Sequence, residues 1–369
     1  MSLKICFIAP TAYPLLSGQT DTGVIGPAIH QVLLARELIK NGFQISILTY
    51  SKTTPHIEQI DGMEVIKVPL ADSAGPVRKA LRLWKAMVQA KADIYFHQGG
   101  SPGIAALYCR RHHKRFVLGI GSDAHVSKKN SFGLLERLGS RLDIKYADVI
   151  IAQTEFQRDM LKRNFGREGR VIRNHFPLAP QNRPEKAQPP VVLWVGSMAK
   201  VKQPGLFLQL AQAIPEATFQ MIGGYYAGNK QEQATFENIK RDLRDVAHFS
   251  VLGYIPFDKV DEYFRRAAIL VNTSELEGFP YAFIQAWMHY TPVVSLNADP
   301  DEIICQRKLG FHSRSFEQLV KDVTTLLADE PLRQQMGGNA RRYVEENHDI
   351  KNIVKQYIEV FNGLVKNPE

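Results

Sequence analysis

One polar motif between two short apolar runs holds residues that are well suited to chemistry. Glu277-Gly278-Phe279-Pro280 follows the apolar run 269–271 and precedes residues 282–289, whose apolar positions recur at helical spacing. Open parallel sheets bind ligands where a strand's carboxyl end meets a helix N-terminus. Glycine there lets backbone N–H groups approach a phosphate, and a glutamate accepts hydrogen bonds from hydroxyls. The motif therefore predicts a nucleotide-sugar site, with support of the helix N-terminus by Glu277 as the equal alternative.

The elements that would position this motif follow an α/β order. A chain of 369 residues exceeds one ordinary core, so two domains of roughly 150–190 residues are expected. Short β-rich runs alternate with helical patterns in both halves, and the Pro-rich stretch 175–190 has no periodicity. We predict an N-terminal domain over 1–183, a second domain over 184–345 and a final helix within 346–369.

In the predicted first domain, the strand 4–9 opens into the loop 10–26 and then a helix over 28–40. The loop lacks G-x-G-x-x-G, which argues against a dehydrogenase-type dinucleotide site. A basic helix over 76–91 places Leu81, Trp84 and Val88 on one stripe. We interpret this helix as packed on the sheet, with contact to an anionic membrane as the alternative.

In the predicted second domain, a strand from Val191 leads to a loop that carries Ser197, Lys200 and Lys202 before a helix that ends at Ala213. A lysine at such a helix start is suited to a diphosphate. Asp299-Pro300-Asp301 has the form of a D-x-D metal motif, but it precedes a short helix and is interpreted as an N-cap.

The charge distribution indicates which kinds of partner to expect, and the cysteine content indicates which kinds of site are absent from the expectation. Residues 1–183 hold 26 Lys and Arg against 14 Asp and Glu, while residues 184–369 hold 20 against 23. The basic half favours an acidic partner, which could be nucleic acid, an anionic membrane or a phosphorylated acceptor. Three widely spaced cysteines argue against a disulfide framework and a zinc site. Without a signal-peptide pattern or a membrane-spanning apolar run, we expect a cytoplasmic protein, with peripheral contact to the inner face of the membrane as an option.

The stretch SELEGFPYAFIQAWMHYTPVV resembles the E-G-F-x-x-x-x-x-E signature of the retaining group 1 (family 4) glycosyltransferases. The resemblance implies the GT-B fold, with two Rossmann-like doubly wound domains that face each other across a cleft. It places the donor sugar at Glu277 and the sugar and phosphate at the backbone of Gly278 and Phe279. The family's second Glu, which holds the ribose, falls on Gln285.

The same resemblance assigns further candidate residues. Lys202 matches the lysine of V-G-R-L-x-x-x-K, which clamps the donor pyrophosphate, and Ser197 stands at its arginine, which Lys200 could replace. The turns at Gly223 and Tyr254 would flank the base, and Gly26 would face the acceptor and the donor phosphate. Asp123 and His125 are the polar candidates near the donor sugar. The terminal helix is expected to cross back to the first domain.

The expected activity is sugar transfer from a nucleotide-diphosphate sugar to a hydroxyl of a saccharide or lipid-linked acceptor, with retention, in cell-surface polysaccharide or glycolipid synthesis. Neither a metal nor another cofactor is expected. One alternative is a nucleotide-sugar epimerase of the same fold. A nucleic-acid-binding protein is less favoured, because the sequence has no aromatic stacking platform, helix-turn-helix signal or finger cysteines.

Overall fold

The computed structural model describes residues 3–18, 26–51, 56–69, 75–99, 103–128, 133–179, 182–225, 229–243 and 246–366. These residues form two compact units. The N-terminal unit contains the described residues up to Pro177 together with those from Ile350 onward. The C-terminal unit runs from Leu178 to Asp349. The chain thus changes unit at 177/178 and at 349/350, a few residues from the predicted positions.

The N-terminal unit is built on an eight-stranded sheet of order β3-β4-β2-β1-β5-β6-β7-β8, parallel except for the β3–β4 pair. Its strands are β1 (Lys4–Ile8), β2 (Gln44–Ser51), β3 (Ile57–Ile60), β4 (Met63–Pro69), β5 (Ile94–Gln98), β6 (Arg115–Gly119), β7 (Val149–Ala152) and β8 (Arg170–Val171). Ile5 and Phe7 enter one apolar cluster, and Cys6 and Ile8 enter another. Both faces of β1 are therefore covered, as in doubly wound sheets.

Helices cover this sheet, and the last of them comes from the C-terminal end of the chain. They are α1 (Tyr13–Ser17), α2 (Gly26–Lys40), α3 (Pro76–Ala90), α4 (Ile104–Arg111), α5 (Asp123–Val126), α6 (Leu134–Tyr146), α7 (Glu155–Phe165) and α15 (Ile350–Lys366). Tyr357 of α15 lies in the core of this unit, where its hydroxyl is 3.0 Å from Nε2 of His30 on α2. The terminal helix thus completes the N-terminal unit.

The C-terminal unit has a six-stranded, fully parallel sheet of order β11-β10-β9-β12-β13-β14. Its strands are β9 (Val191–Val195), β10 (Thr218–Ile222), β11 (Phe249–Gly253), β12 (Ile269–Asn272), β13 (Val293–Ser295) and β14 (Gly310–His312). Its helices are α8 (Pro204–Ala213), α9 (Lys230–Asp242), α10 (Asp261–Arg266), α11 (Tyr281–Met288), α12 (Ile303–Gln306), α13 (Phe316–Ala328) and α14 (Glu330–Asn347). Two Rossmann-like parallel sheets confirm the predicted α/β class.

The predicted loop 10–26 is wrong over residues 13–17, which form α1. Gly18 ends that helix in the left-handed conformation (φ 68°), where glycine has no steric cost. The Tyr13 hydroxyl accepts a hydrogen bond from Lys67 at 2.6 Å, and Leu16 is buried. Tertiary contacts therefore hold a helix that is too short for its sequence pattern to predict. Gly23 of this loop is outside the described residues. The sequence also predicts a glycine-rich loop over 98–102 at the end of a strand, and its residues 100–102 are likewise outside the described residues.

The predicted packing stripe on α3 is also wrong. Leu81 is 59% and Val88 47% exposed, whereas Leu83 and Met87 are buried. Trp84 is partly buried against Tyr108, with 5.1 Å between ring centroids. Since both stripes keep helical spacing, the sequence alone did not show which one faces the sheet.

Among the described residues, no helix combines the length and apolarity that crossing a bilayer requires.

Candidate functional site

Two loops of the C-terminal unit meet at the carboxyl edge of its sheet. We call residues 196–203, after β9, and residues 272–280, after β12, the two edge loops. Because β9 and β12 are neighbouring parallel strands, both loops leave the sheet at the same edge. The Thr273 hydroxyl donates to the Lys202 carbonyl at 2.8 Å and accepts from Trp194 Nε1 at 3.0 Å. Glu275 N–H donates to the Val201 carbonyl at 2.8 Å. Side-chain and backbone bonds thus fix the two loops to each other.

Lys202 and Glu277, both predicted as donor-site residues, form an ion pair across these loops. Lys202 Nζ lies 2.6 Å from Glu277 Oε1, and the side chains are 28% and 11% exposed. A 3₁₀ turn over Lys200–Lys202 orients the lysine, and Gln203 follows with φ 48°. The site therefore holds a cation and a carboxylate side by side in partial burial, where their interaction is stronger than at an open surface.

The start of α11 lies directly beyond Glu277. Pro280 is its N-cap residue, and no side chain of the described residues makes a capping hydrogen bond to this helix. Glu277 pairs with Lys202, and its alternative role, support of the helix N-terminus, stays a prediction. Phe279 is buried against His348, with 4.6 Å between ring centroids. The buried Phe279 fixes the chain at Gly278, so the backbone N–H groups of this turn are held at a helix N-terminus that favours an anion.

Gln285, the predicted ribose-binding residue, lies on α11 and is 5% exposed. Among the described residues, the structure shows no hydrogen-bond partner for its amide. The amide therefore keeps its donor and acceptor atoms available to a ligand or to water. Ser197 is half-buried and Lys200 exposed in the first edge loop, so the exposed ammonium is the group free to move toward a ligand.

Gly223 and Tyr254 lie at the carboxyl ends of β10 and β11. A Cβ at Gly223 would come within 1.8 Å of the Gly196 carbonyl oxygen, so only glycine fits there. This close approach explains the Gly223 residue type by packing alone. Tyr254 is half-buried, and burial raises the pKa of its hydroxyl. Their predicted contact with the base stays a prediction.

The remaining candidates belong to the N-terminal unit. Asp123 Oδ1 accepts from Gln157 Nε2 at 2.9 Å, and His125 Nδ1 accepts from the Ser122 N–H at 3.1 Å. Burial lowers the pKa of His125 to about 4, so its ring is neutral near pH 7. Both side chains help to build the start of α5. Gly26 is the first residue of α2. Their predicted functional roles stay predictions.

Sequence reasoning missed the polar residues that support Glu277. Asn272 Nδ2 lies 3.4 Å from Glu277 Oε1 and 3.2 Å from Ser274 Oγ. Asn297 Nδ2 donates to the Ser274 carbonyl at 3.2 Å, which ties the loop after β13 to the second edge loop. The signal was the polar run that directly follows the apolar residues of β12, because a strand that ends in buried polar side chains indicates a built loop.

Asp299 is the N-cap residue of the 3₁₀ turn Pro300–Glu302, but its side chain bonds to α12, which follows that turn. Its Oδ1 accepts from the Ile304 N–H at 2.8 Å, and its Oδ2 accepts from the Cys305 N–H at 3.4 Å, at the start of α12. Cys305 and His312 lie beside it, with one potential ligand atom of each residue within 4.8 Å of the others. Because both carboxylate oxygens already accept backbone N–H groups, starting the helix accounts for the aspartate.

Comparison with known proteins finds relatives of similar sequence. Mannosylfructose-phosphate synthase of Agrobacterium fabrum is 25% identical over 336 residues, which cover 77% of this chain and 73% of that protein. Trehalose synthase of Thermococcus litoralis is 22% identical over 163 residues, which cover 43% of this chain. The match spans only 40% of the length of that trehalose synthase.

Solved structures of similar fold cover the chain almost completely. Sucrose-phosphate synthase of Thermosynechococcus elongatus superposes with a TM-score of 0.81 at 17% identity, over 99% of both chains. HepE of Anabaena, in complex with UDP and glucose, has a TM-score of 0.76 at 15% identity, over 98% of this chain and 100% of its own. At these identities the likeness shows the fold alone, which is GT-B.

Two family models divide the chain between them. Residues 24–179 match Glycosyltransferase Family 4, and residues 176–343 match Glycosyl transferases group 1. The first covers most of the N-terminal unit and the second most of the C-terminal unit, which carries the Lys202–Glu277 pair. The chain therefore has a Glycosyltransferase Family 4 domain followed by a Glycosyl transferases group 1 domain, on a GT-B fold.

Proposed function

We propose that this chain transfers a sugar from a nucleotide-diphosphate sugar to an acceptor hydroxyl with retention at the anomeric carbon. The observation that carries the proposal is the Lys202–Glu277 pair at the carboxyl ends of β9 and β12, beside the N-terminus of α11. A diphosphate needs a cation and N–H donors, and a sugar needs a hydrogen-bond acceptor for its hydroxyls. The two edge loops and the start of α11 place a cation, backbone N–H donors and a carboxylate acceptor close together.

The ion pair has a specific use in this proposal. When the donor binds, its diphosphate takes Lys202 as a counter-ion, and a sugar hydroxyl replaces Lys202 as hydrogen-bond donor to Glu277. Each charged side chain exchanges one partner for another, so neither is left buried and unpaired. Asn272 and Thr273 hold the loops during the exchange. The free enzyme thus keeps the donor site close to its binding geometry.

In the reaction, the bond between the anomeric carbon and the phosphate oxygen breaks while the acceptor oxygen bonds to the same face of the sugar. The acceptor proton passes to the departing diphosphate. Lys202 and the N–H groups at the start of α11 stabilise the negative charge that grows on that diphosphate. Glu277 positions the sugar, and Gln285 hydrogen-bonds the ribose with its amide.

The partners of the proposed reaction are a nucleotide-diphosphate sugar and a saccharide or lipid-linked acceptor. The HepE structure holds UDP and glucose, which supports UDP as the first donor nucleotide to test. The mannosylfructose-phosphate and trehalose synthases support a saccharide acceptor. A role in cell-surface polysaccharide or glycolipid synthesis, with contact of the basic N-terminal half at an anionic membrane, belongs to the same proposal. No metal or other cofactor is needed for these roles of the residues.

A thermal-shift panel of UDP, GDP, ADP and CMP tests the donor site. At about 100 times its Kd a nucleotide adds about 2.7 kcal/mol of stability, which should raise the Tm by roughly 5 °C. We expect one nucleoside diphosphate to give this shift in the wild type. Lys202→Ala should abolish it, while Lys321→Ala, an exposed lysine of α13 in the same unit, should keep it.

Equal shifts in wild type and Lys202→Ala would contradict the donor site. A second readout separates transfer from epimerisation. Hydrolysis or epimerisation of the donor without any acceptor would favour the nucleotide-sugar epimerase, whereas turnover that requires an acceptor hydroxyl supports the transferase.

A further inference from the structure

A cavity of about 210 Å³ lies in the N-terminal unit between α5, α6 and α7. Its lining residues are His125, Ser127, Lys128, Arg137, Ser140, Arg141, Asn164 and Phe165. Sites that enclose a whole drug-sized ligand run to roughly 300–1,000 Å³. This cavity therefore suits one functional group and the part of the molecule that carries it. We call it the basic cavity.

Hydrogen bonds fix the walls of the basic cavity. Asn164 Nδ2 on α7 donates to the Val126 carbonyl at the end of α5 at 2.7 Å. Gln157 on the same helix donates to Asp123. Arg167 donates to the Ile144 carbonyl of α6 at 2.8 Å and to the Ala147 carbonyl at 2.6 Å. The cavity is thus part of the folded framework of three helices.

The cations around this cavity lack counter-ions. Lys128, Arg137 and Arg141 form no ion pair with any carboxylate in the described part of the chain. By contrast, Arg115 pairs with Asp148 at 2.9 Å in the same unit. Arg137 and Arg141 are also four residues apart on one helix, a spacing at which like charges destabilise the helix. Three converging positive charges without a carboxylate indicate an anion as the missing partner.

Hydrogen-bond donors accompany these charges. Ser140 Oγ lines the cavity, is buried, and has no hydrogen-bond partner among the residues that the structure describes. His125 is neutral and accepts through Nδ1 from the Ser122 N–H, so its ring proton is on Nε2. Phosphate, with several acceptor oxygens and a negative charge, matches two guanidinium groups, an ammonium and a hydroxyl better than a neutral sugar does.

We propose that the basic cavity binds the phosphate group of a phosphorylated acceptor, with Arg137, Arg141 and Lys128 as counter-ions and Ser140 as a hydrogen-bond donor. This inference rests on the proposed function, because it names the class of acceptor for the same reaction. The carrier of the phosphate is either a soluble sugar phosphate or a lipid headgroup, and both present the same anion to the cavity.

The first test measures binding of inorganic phosphate to the full-length chain by titration calorimetry at constant ionic strength. Arg137→Gln and Arg141→Gln should each weaken binding about tenfold or more, since each removes charge-assisted hydrogen bonds. Arg78→Gln removes the same charge from an exposed position on α3, outside the cavity, and should leave the affinity unchanged. Circular dichroism confirms that each variant is folded.

Lys202→Ala separates this site from the proposed donor site. It should lose the nucleotide shift and keep phosphate binding, so the two proposals can fail independently. Phosphate affinity that falls in Lys202→Ala but not in the arginine variants would place the anion at the edge loops and overturn the inference. Equal weakening by Arg78→Gln would show a diffuse basic surface and would overturn it too, as would no binding of phosphate.

The carrier of the phosphate is identified with two competing probes. A hexose monophosphate that displaces inorganic phosphate, when the unphosphorylated hexose does not, supports a soluble acceptor. Flotation with phosphatidylglycerol vesicles but not phosphatidylcholine vesicles, lost in Arg137→Gln and kept in Arg307→Gln, an exposed arginine of the C-terminal unit, supports a lipid-borne phosphate. If neither probe distinguishes Arg137→Gln from the wild type, the cavity is not an acceptor site.

Discussion

The two edge loops and the basic cavity differ in whether their cations have a carboxylate partner. In the edge loops, Lys202 already has Glu277 as a partner at 2.6 Å, and Asn272 supports the same carboxylate. Around the basic cavity, Arg137 and Arg141 have no carboxylate partner among the described residues. The first site stays neutral in the free protein and exchanges partners on binding. The second leaves its charge uncompensated, so an anion that enters it gains interactions without breaking any ion pair.

The largest expected effect is on catalysis. Glu277→Gln keeps the size of the side chain but removes the charge that positions the sugar, so kcat for transfer should fall by about 10²–10³. Nucleotide binding should remain, because Lys202 is unchanged. Glu275→Gln, an exposed glutamate two residues away in the same loop, is the matched control. Wild-type transfer by Glu277→Gln would remove this residue from the mechanism.

Acid should affect the N-terminal unit through its buried histidines. Burial lowers the pKa of His175 to about 4 and lowers that of His30 well below 6.5, an effect that the neighbouring His175 reinforces. The unfolded chain, with ordinary histidine pKa values, therefore takes up protons first as the pH falls below 6.5. His175 alone should lower the free energy of unfolding by about 2–3 kcal/mol between pH 6.5 and pH 4, and His30 should add to this drop.

Denaturant unfolding at several pH values between 6.5 and 4 measures how the free energy of unfolding depends on pH. His175→Phe should make the fall in the free energy of unfolding less steep, because one buried imidazole with a lowered pKa is removed. His56→Phe, at an exposed position, should leave the pH dependence unchanged. A pH profile identical in His175→Phe and wild type would show that other groups govern the acid response.

The sequence predicted the C-terminal unit better than the N-terminal one, and the reason is physical. Glu277 and Lys202 lie in loops that follow buried strands, so the strand pattern together with the resemblance to the family motifs was enough to predict both as donor-site residues. The basic cavity is lined by residues of three helices, and its cations are exposed side chains that look like ordinary solvated charges in sequence. Only the packing of α6 against its neighbours brings Arg137 to the same cavity as Lys128 and Asn164. For the same reason, the sequence did not show which stripe of α3 is buried.

Removing one member of the Lys202–Glu277 ion pair tests whether this pair stabilises the free protein. Lys202→Met should lower the free energy of unfolding by about 1–2 kcal/mol in the absence of ligand, because Glu277 is left partly buried without its counter-ion. Lys321→Met changes the same residue type at an exposed helical position of the same unit and should have little effect. Urea unfolding of both variants gives the comparison. Equal stability of the two would mean that water replaces the lysine at no cost.

The smallest effect on stability is expected for a substitution at the basic cavity. The sign of this effect distinguishes the basic cavity from the edge loops. Arg137→Gln breaks no ion pair and relieves repulsion with Arg141 four residues along α6, so the free energy of unfolding should change by less than about 0.5 kcal/mol, toward greater stability. The gain should shrink as salt is added, because exposed charges are screened. With phosphate present, the wild type should be more stable than Arg137→Gln, because the bound anion stabilises the wild type and not the variant. A cation whose removal stabilises the free protein and destabilises the liganded one is placed for binding. A loss of stability in Arg137→Gln without phosphate would instead show that this arginine supports the fold.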